Sequence, residues 1–115
     1  MLRNKIRRYL KHGTLRQLSV FEAVARLGSF TRAAGELHMA QPTVSVQIKK
    51  LSESVGLPLF EQSGRKIRLT AAGAELEYAC HELFGTLSRL EDRLIEFRGQ
   101  HAPHTILRER AAGTL

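Results

Sequence analysis

One cysteine, Cys80, stands in 115 residues. A lone thiol cannot close an internal disulfide, which excludes a disulfide scaffold and fits a reducing, intracellular compartment. Proline is scarce at 3 residues, and a chain 43% hydrophobic and 25% charged has the composition of a folded domain, not of a disordered one. No apolar run approaches the ~18 residues that span a bilayer, so no membrane partner is expected. The front of the chain also lacks acid. The first Asp or Glu is Glu22, and Arg3, Lys5, Arg7, Arg8 and Lys11 precede it. Such a start fits an organellar presequence or a basic arm. Lys and Arg recur well past it and no apolar segment follows, which favours a basic N-terminal arm over residues 1–13.

What is abundant is positive charge, unevenly placed. Residues 1–70 hold 13 Lys/Arg against 4 Asp/Glu, a balance of +9, whereas residues 71–115 hold 5 against 7, a balance of −2. A basic front joined to a slightly acidic back predicts a polyanion-binding unit followed by a segment with different work. Catalysis has little support. The histidines at 12, 38, 81, 101 and 104 form no metal-ligand spacing, only His81 adjoins Cys80, and no Gly-rich phosphate loop or nucleophile motif is present. The chain is therefore expected to be no enzyme and to need no cofactor or metal.

Periodicity predicts a mainly α protein. Residues 14–27 read as a helix with a capping box, Thr14 as N-cap and Gln17 reaching back, and Leu18, Phe21, Val24 and Ala25 on one face up to Gly28. A shorter helix starts near Ser29 or Thr31 and runs to about His38, with small Ala33 and Ala34 where another helix can approach. A third starts at Gln41-Pro42, with proline at the first helical position, and carries Val44, Ile48, Leu51 and Val55 as a core stripe before Gly56. Residues 57–62 and 66–69 read as two strands around the basic turn Ser63-Gly64-Arg65, with Lys66 and Arg68 close by.

Three short helices and a hairpin outline a winged helix-turn-helix whose third helix enters the DNA major groove. On a wheel centred on Val44, the side opposite the core collects Pro42, Thr43, Val46, Lys49, Lys50 and Glu53. An exposed Val46 has a use against a thymine methyl group, and Gln41, a poor N-cap, has the amide that pairs with adenine. Lys49 and Lys50, with Ser45 and Thr31 at the flanks, suit phosphates. The bland reading is that lysines opposite a core face are simply solvated; the combination of charge, helix pair and basic hairpin points to duplex DNA more strongly than any one residue.

From Thr70 as N-cap to about Arg98 a long helix is expected, and Leu76, Cys80, Leu83, Leu87, Leu90, Leu94 and Phe97 recur at spacings of 4, 3, 4, 3, 4 and 3. A helix of this length spans roughly 42 Å, more than a 70-residue domain can cover. Either the stripe folds back on its own domain or it pairs with another chain, and its length favours pairing. Cys80 then reads as a small buried apolar residue, with a redox role as the remote alternative.

These residues resemble a family. Leu15-Arg16-Gln17-Leu18 with Phe21, Ser29-Phe30-Thr31-Arg32-Ala33-Ala34, Gln41-Pro42-Thr43-Val44-Ser45 with Ile48 and Leu51, and Leu59-Phe60 followed by Leu69-Thr70-Ala71-Ala72-Gly73 look like LysR-type transcriptional regulators, over residues 14–98. The run Leu59-Phe60-Glu61-Gln62 before Gly64 and a basic pair is similar to the subgroup that regulates the RuBisCO (Calvin-cycle) operon. The resemblance implies a winged helix-turn-helix over residues 14–70 and a linker helix over residues 71–98. It also implies a homodimer with linker helices antiparallel, two recognition helices (residues 42–55) on an inverted repeat, wings (62–68) at the minor groove, and a bacterial cytoplasm. Residue by residue it assigns DNA contact to Thr31, Gln41, Pro42, Thr43, Ser45, Val46, Lys49 and, in the wing, Arg65; Lys50 and Lys66 join them from charge and position. Gln62 stands where many members have a basic residue, and Val46 where many have arginine. Family members continue into an effector-binding domain that takes a co-inducer. Residues 99–115 look like a tail at the junction to that domain, so co-inducer binding is not expected of this chain. The competing reading is an interaction protein whose long helix pairs with a full-length relative.

Overall fold

The computed structural model describes residues 13–100. The chain divides into two compact units between Cys80 and His81, a boundary inside the last helix. The expected basic arm and the tail beyond residue 100 lie outside the described residues.

In the first unit, α1 spans Thr14–Leu27, α2 Phe30–Leu37 and α3 Gln41–Val55. Helix α1 begins one residue earlier than its sequence indicates. Gly13 is the N-cap, in a left-handed conformation at φ 71°, and its carbonyl accepts the Gln17 N–H at 3.1 Å. Thr14 is thereby turned into the helix and buried, as is Gln17, and the expected capping box is not made. The buried face comprises Val20, Phe21, Ala23 and Val24, with Leu18 and Ala25 half-buried. Gly28 ends the helix as expected, its N–H on the Val24 carbonyl at 2.8 Å.

Ser29 caps α2 by accepting the Arg32 N–H at 3.0 Å, and the buried residues of that helix are the small Ala33 and Ala34. An Arg26 guanidinium bridges Glu22 of its own helix and Glu36 of α2, staking α1 to α2 at the surface. These bonds hold the Arg26 pKa above its ordinary value, Glu36 contributing most, and hold the Glu36 carboxyl below the usual carboxylate range. On α3 Val44, Ile48 and Leu51 are buried as the spacing predicts, while Val55, the fourth residue of the expected stripe, is only half-buried. The N-cap of α3 is Ala40, so Gln41 is the first helical residue and Pro42 the second, a shift of one from the sequence reading.

The hairpin pairs β1 (Phe60–Ser63) with β2 (Lys66–Leu69) antiparallel, in the register Phe60↔Leu69 to Ser63↔Lys66. Gly64 supplies the positive φ (65°) that a two-residue turn needs. Strand β1 is shorter than expected because β2 ends at Leu69, leaving Leu57 and Pro58 no strand to pair with. Thr70 holds that segment instead. Its N–H donates to the Leu59 carbonyl (3.0 Å) and its Oγ1 donates to the Pro58 carbonyl (2.7 Å). The same Oγ1 accepts the Gly73 N–H at 2.9 Å, capping α4, which runs Ala71–Gln100. An apolar groove of about 480 Å³ is lined by Leu18, Leu51, Val55, Leu57, Leu76 and Ala79, with Thr14 and Glu75 at its edge.

The heptad stripe is divided by this arrangement. Cys80 is a core residue of the first unit, 1% exposed, near the Leu18 carbonyl at 4.0 Å. It is consumed by the chain's own packing, and its place on a seam for a second chain is corrected accordingly. Burial, with the charges of Glu22 and Glu77 behind it, pushes the thiol up to about 11. Cys80 is expected to resist alkylation in the native chain near neutral pH and to react readily once the chain is denatured, since only thiolate attacks. Because the folded thiol keeps its proton to higher pH than the unfolded one, stability should fall as pH rises through the interval from about 9 to about 11. A thiol titration with and without denaturant checks the first point, and denaturation across that pH interval the second.

In the second unit, described through Gln100, α4 leaves Leu83 half-buried, and Leu87, Leu90, Leu94, Ile95 and Phe97 are 41–55% exposed. Leu87, Leu90, Leu94 and Ile95 line a shallow hollow edged by Glu91 and Arg98. Among the described residues no helix is long and apolar enough to cross a membrane.

Candidate nucleic-acid interface

The geometry of α3 follows from one fact: Val44, Ile48 and Leu51 bury one side, so the residues half a turn away must face water. Gln41, Pro42, Thr43, Val46, Lys49, Lys50 and Glu53 are all exposed, and Ser45 is half-buried at the flank. Val46, at 49%, is an apolar side chain held out among polar ones. Gln41 is not idle: its Nε2 donates to the Ser45 Oγ at 3.1 Å, so two of the expected contact residues are already linked. Thr31 is exposed in the first turn of α2. Beside it Arg32 is also exposed. Arg32 belongs to the Ser29–Ala34 run that resembles the family, and its place next to Thr31 is the sequence signal for it.

Electrostatics favour an anion. Arg32, Lys49, Lys50, Arg65 and Lys66 are exposed and make no ion pair among the described residues. The acids of this unit up to Thr70 are largely taken up, Glu22 and Glu36 by Arg26, and Glu61 by Arg68 at 3.7 Å across the hairpin. Arg68 is thus drawn along the wing, while Arg65 and Lys66 stand at its tip. Lys49 and Glu53 share a shallow depression with Leu57 and Pro58, the segment leading into β1. Among the described residues, no group of three or more His, Cys, Asp and Glu is placed to hold a metal ion.

The sequence profile of bacterial regulatory helix-turn-helix proteins of the lysR family matches residues 15–74, more than half of the chain. The chain belongs to that family. As a LysR-family protein it is similar to the RuBisCO operon transcriptional regulator of Acidithiobacillus ferrooxidans, 48% identical over 90 residues that make up 78% of this chain and 29% of that protein. The chain therefore spans about three-tenths of the length of the curated relatives it matches. Among solved structures it resembles the BenM DNA-binding domain in complex with catB site 1 DNA, with a TM-score of 0.68 at 33% identity, covering 71% of this chain and 91% of that one. It also resembles the CbnR DNA-binding domain–DNA complex, with a TM-score of 0.64 at 37% identity, covering 70% and 93%. Both similarities bear out the expected winged helix-turn-helix with a long C-terminal helix.

Proposed function

We propose that this chain is the DNA-binding part of a bacterial transcriptional regulator of the LysR family. Helix α3 lies in the major groove, the wing at the minor groove, and a dimer formed through α4 sets two such units on an inverted repeat. The observation that carries this reading is the two-sidedness of α3, apolar and buried at Val44, Ile48 and Leu51, polar and cationic on the outward side. The relatives with DNA in their structures support it, and the identity to a RuBisCO operon regulator supports an operator of that class. The work is binding, not catalysis, and its place is the bacterial cytoplasm, where the promoter is.

The contact residues divide by chemistry. Lys49, Lys50, Thr31, Arg65 and Lys66 meet phosphates, which fix register and carry no sequence information. Gln41, Pro42, Thr43 and Val46 face base edges, with Gln41 suited to adenine and Val46 to a thymine methyl group, and Ser45 at the flank joins the phosphate set. Residues 14–70 form the binding unit and residues 71–98 the dimerisation helix, with Leu83, Leu87, Leu90, Leu94 and Phe97 as its seam and Leu76 at its edge. The exposed leucines of the second unit are what favour a partner chain, and a full-length relative would satisfy them as well as a second copy.

Selection from a random duplex pool, followed by a gel shift, tests this. A pseudo-palindromic sequence should be enriched and preferred; equal affinity for scrambled DNA at moderate salt sinks the reading. Lys49→Ala is expected to weaken binding to all sequences and to lower the log–log salt slope by about 1. Gln41→Ala should instead cost about 1–3 kcal/mol at one base pair and leave the slope unchanged.

A further inference from the structure

We propose that Phe60 is a positioning residue: it clamps the wing to α1 and to the first turn of α2, and so holds the tip residues Arg65 and Lys66 at the angle at which they reach DNA. This rests on the reading of the wing as a DNA contact. A hairpin of two four-residue strands is marginal by itself and takes its orientation from what it packs on. In β1, Phe60 is the one residue that is not exposed. Its ring lies 5.3 Å from that of Phe21, which is fully buried in α1, and 5.9 Å from that of Phe30, edge to face at 65°. Phe30 is the first residue of α2 and precedes Thr31. One ring therefore ties the wing to the core and to the turn that presents Thr31.

Ring contacts of this kind are directional, so they set an angle as well as filling space. The angle matters because the wing is a lever. From Phe60 to Ser63 the strand covers about 10 Å, so a tilt of roughly 15° at the base moves the tip by about 3 Å, the whole reach of a hydrogen bond. An aliphatic residue can occupy the site of Phe60 without fixing the tilt.

The test measures salt-dependent binding of the full chain to the duplex it enriches from a random pool. The variants are Phe60→Leu, the pair Arg65→Ala with Lys66→Ala, and all three together. The tip pair should lower the log–log slope by about 2, Phe60→Leu should lower it by a similar amount, and the triple variant should lose nothing further. Phe60→Tyr, which keeps the ring, should retain the wild-type slope. If circular dichroism shows Phe60→Leu unfolded, Phe30→Leu replaces it, with the same failure to add to the tip pair expected. A wild-type slope in the folded Phe variant, additive losses, or no effect of the tip pair each overturn the clamp while leaving DNA binding intact. A wild-type chain that binds no duplex overturns the proposed function itself.

Discussion

Gly73→Ala is expected to destabilise the first unit by about 2–4 kcal/mol, against the usual sign for a glycine inside a helix. Replacing a helical glycine by alanine normally gains up to about 1 kcal/mol. At Gly73 there is no room. A Cβ would run into the Leu59 carbonyl oxygen and come within 2.9 Å of Leu69 Cδ2 and 3.1 Å of the Leu59 carbonyl carbon. That carbonyl cannot step aside, because it accepts the Thr70 N–H, and Thr70 in turn caps Gly73 through its Oγ1. Leu59 itself is 1% exposed, so its backbone is anchored by core packing. Relieving the clash breaks a cap or a buried hydrogen bond, each worth about 1 kcal/mol, on top of overpacking of about 1–3 kcal/mol. Gly35→Ala is the matched control, since a Cβ there meets nothing within 4 Å; it should gain up to about 1 kcal/mol. Denaturant unfolding of both variants decides the point. Equal stability of Gly73→Ala and wild type would mean that α4 does not pass so close to the chain before the wing.

That tight junction explains where the sequence was legible. The Thr70 cap, the Gly28 and Gly56 stops and the Val44–Ile48–Leu51 stripe were readable because each is a local pattern, satisfied by residues within one or two turns. Thr14 and Gln17 matched a capping box equally well, but the left-handed Gly13 starts α1 a residue sooner and turns both inward. Leu57 and Pro58 adjoin β1 without joining it, because Pro58 has no N–H to give a ladder and pairing depends on where β2 stops, a fact held elsewhere in the chain. Cys80 shows the limit most clearly. Its heptad position is real, but whether a seam residue meets its own domain or another chain depends on tertiary packing that spacing does not encode.

The interface divides in the same way. The outward face of α3 was predictable from helical period alone, and every residue expected there is at least partly exposed. Ion pairing was not predictable. Of the wing residues Arg65, Lys66 and Arg68, strand register draws Arg68 to Glu61, while the other two make no ion pair among the described residues. Nor does the motif that contains Phe60 give it a role, since the two rings it meets lie 30 and 39 positions away.

Leu90→Gln combined with Leu94→Gln is expected to convert a dimer to a monomer and, through that, to lower operator affinity far more than any single contact variant. Glutamine keeps helix propensity close to that of leucine, so α4 persists while its apolar surface is removed. Leu90 is 41% and Leu94 55% exposed, so each has about half of its surface still to bury against a partner. A dimer hides four such leucines; at about 1 kcal/mol each, their loss weakens association on the order of 10³-fold. Two half-sites then bind independently, and the gain from linking them, typically about 10² to 10⁴, is lost with the dimer. Light scattering at tens of micromolar reads the first effect and a gel shift on a two-half-site duplex the second. Ser88→Gln, at an exposed position off the leucine seam, should alter neither. A wild-type monomer at that concentration would refute the leucine seam as a dimer contact, whereas a variant that still dimerises would place the contact elsewhere. The groove lined by Leu18, Leu51, Val55 and Leu57 is then the apolar surface left to account for it.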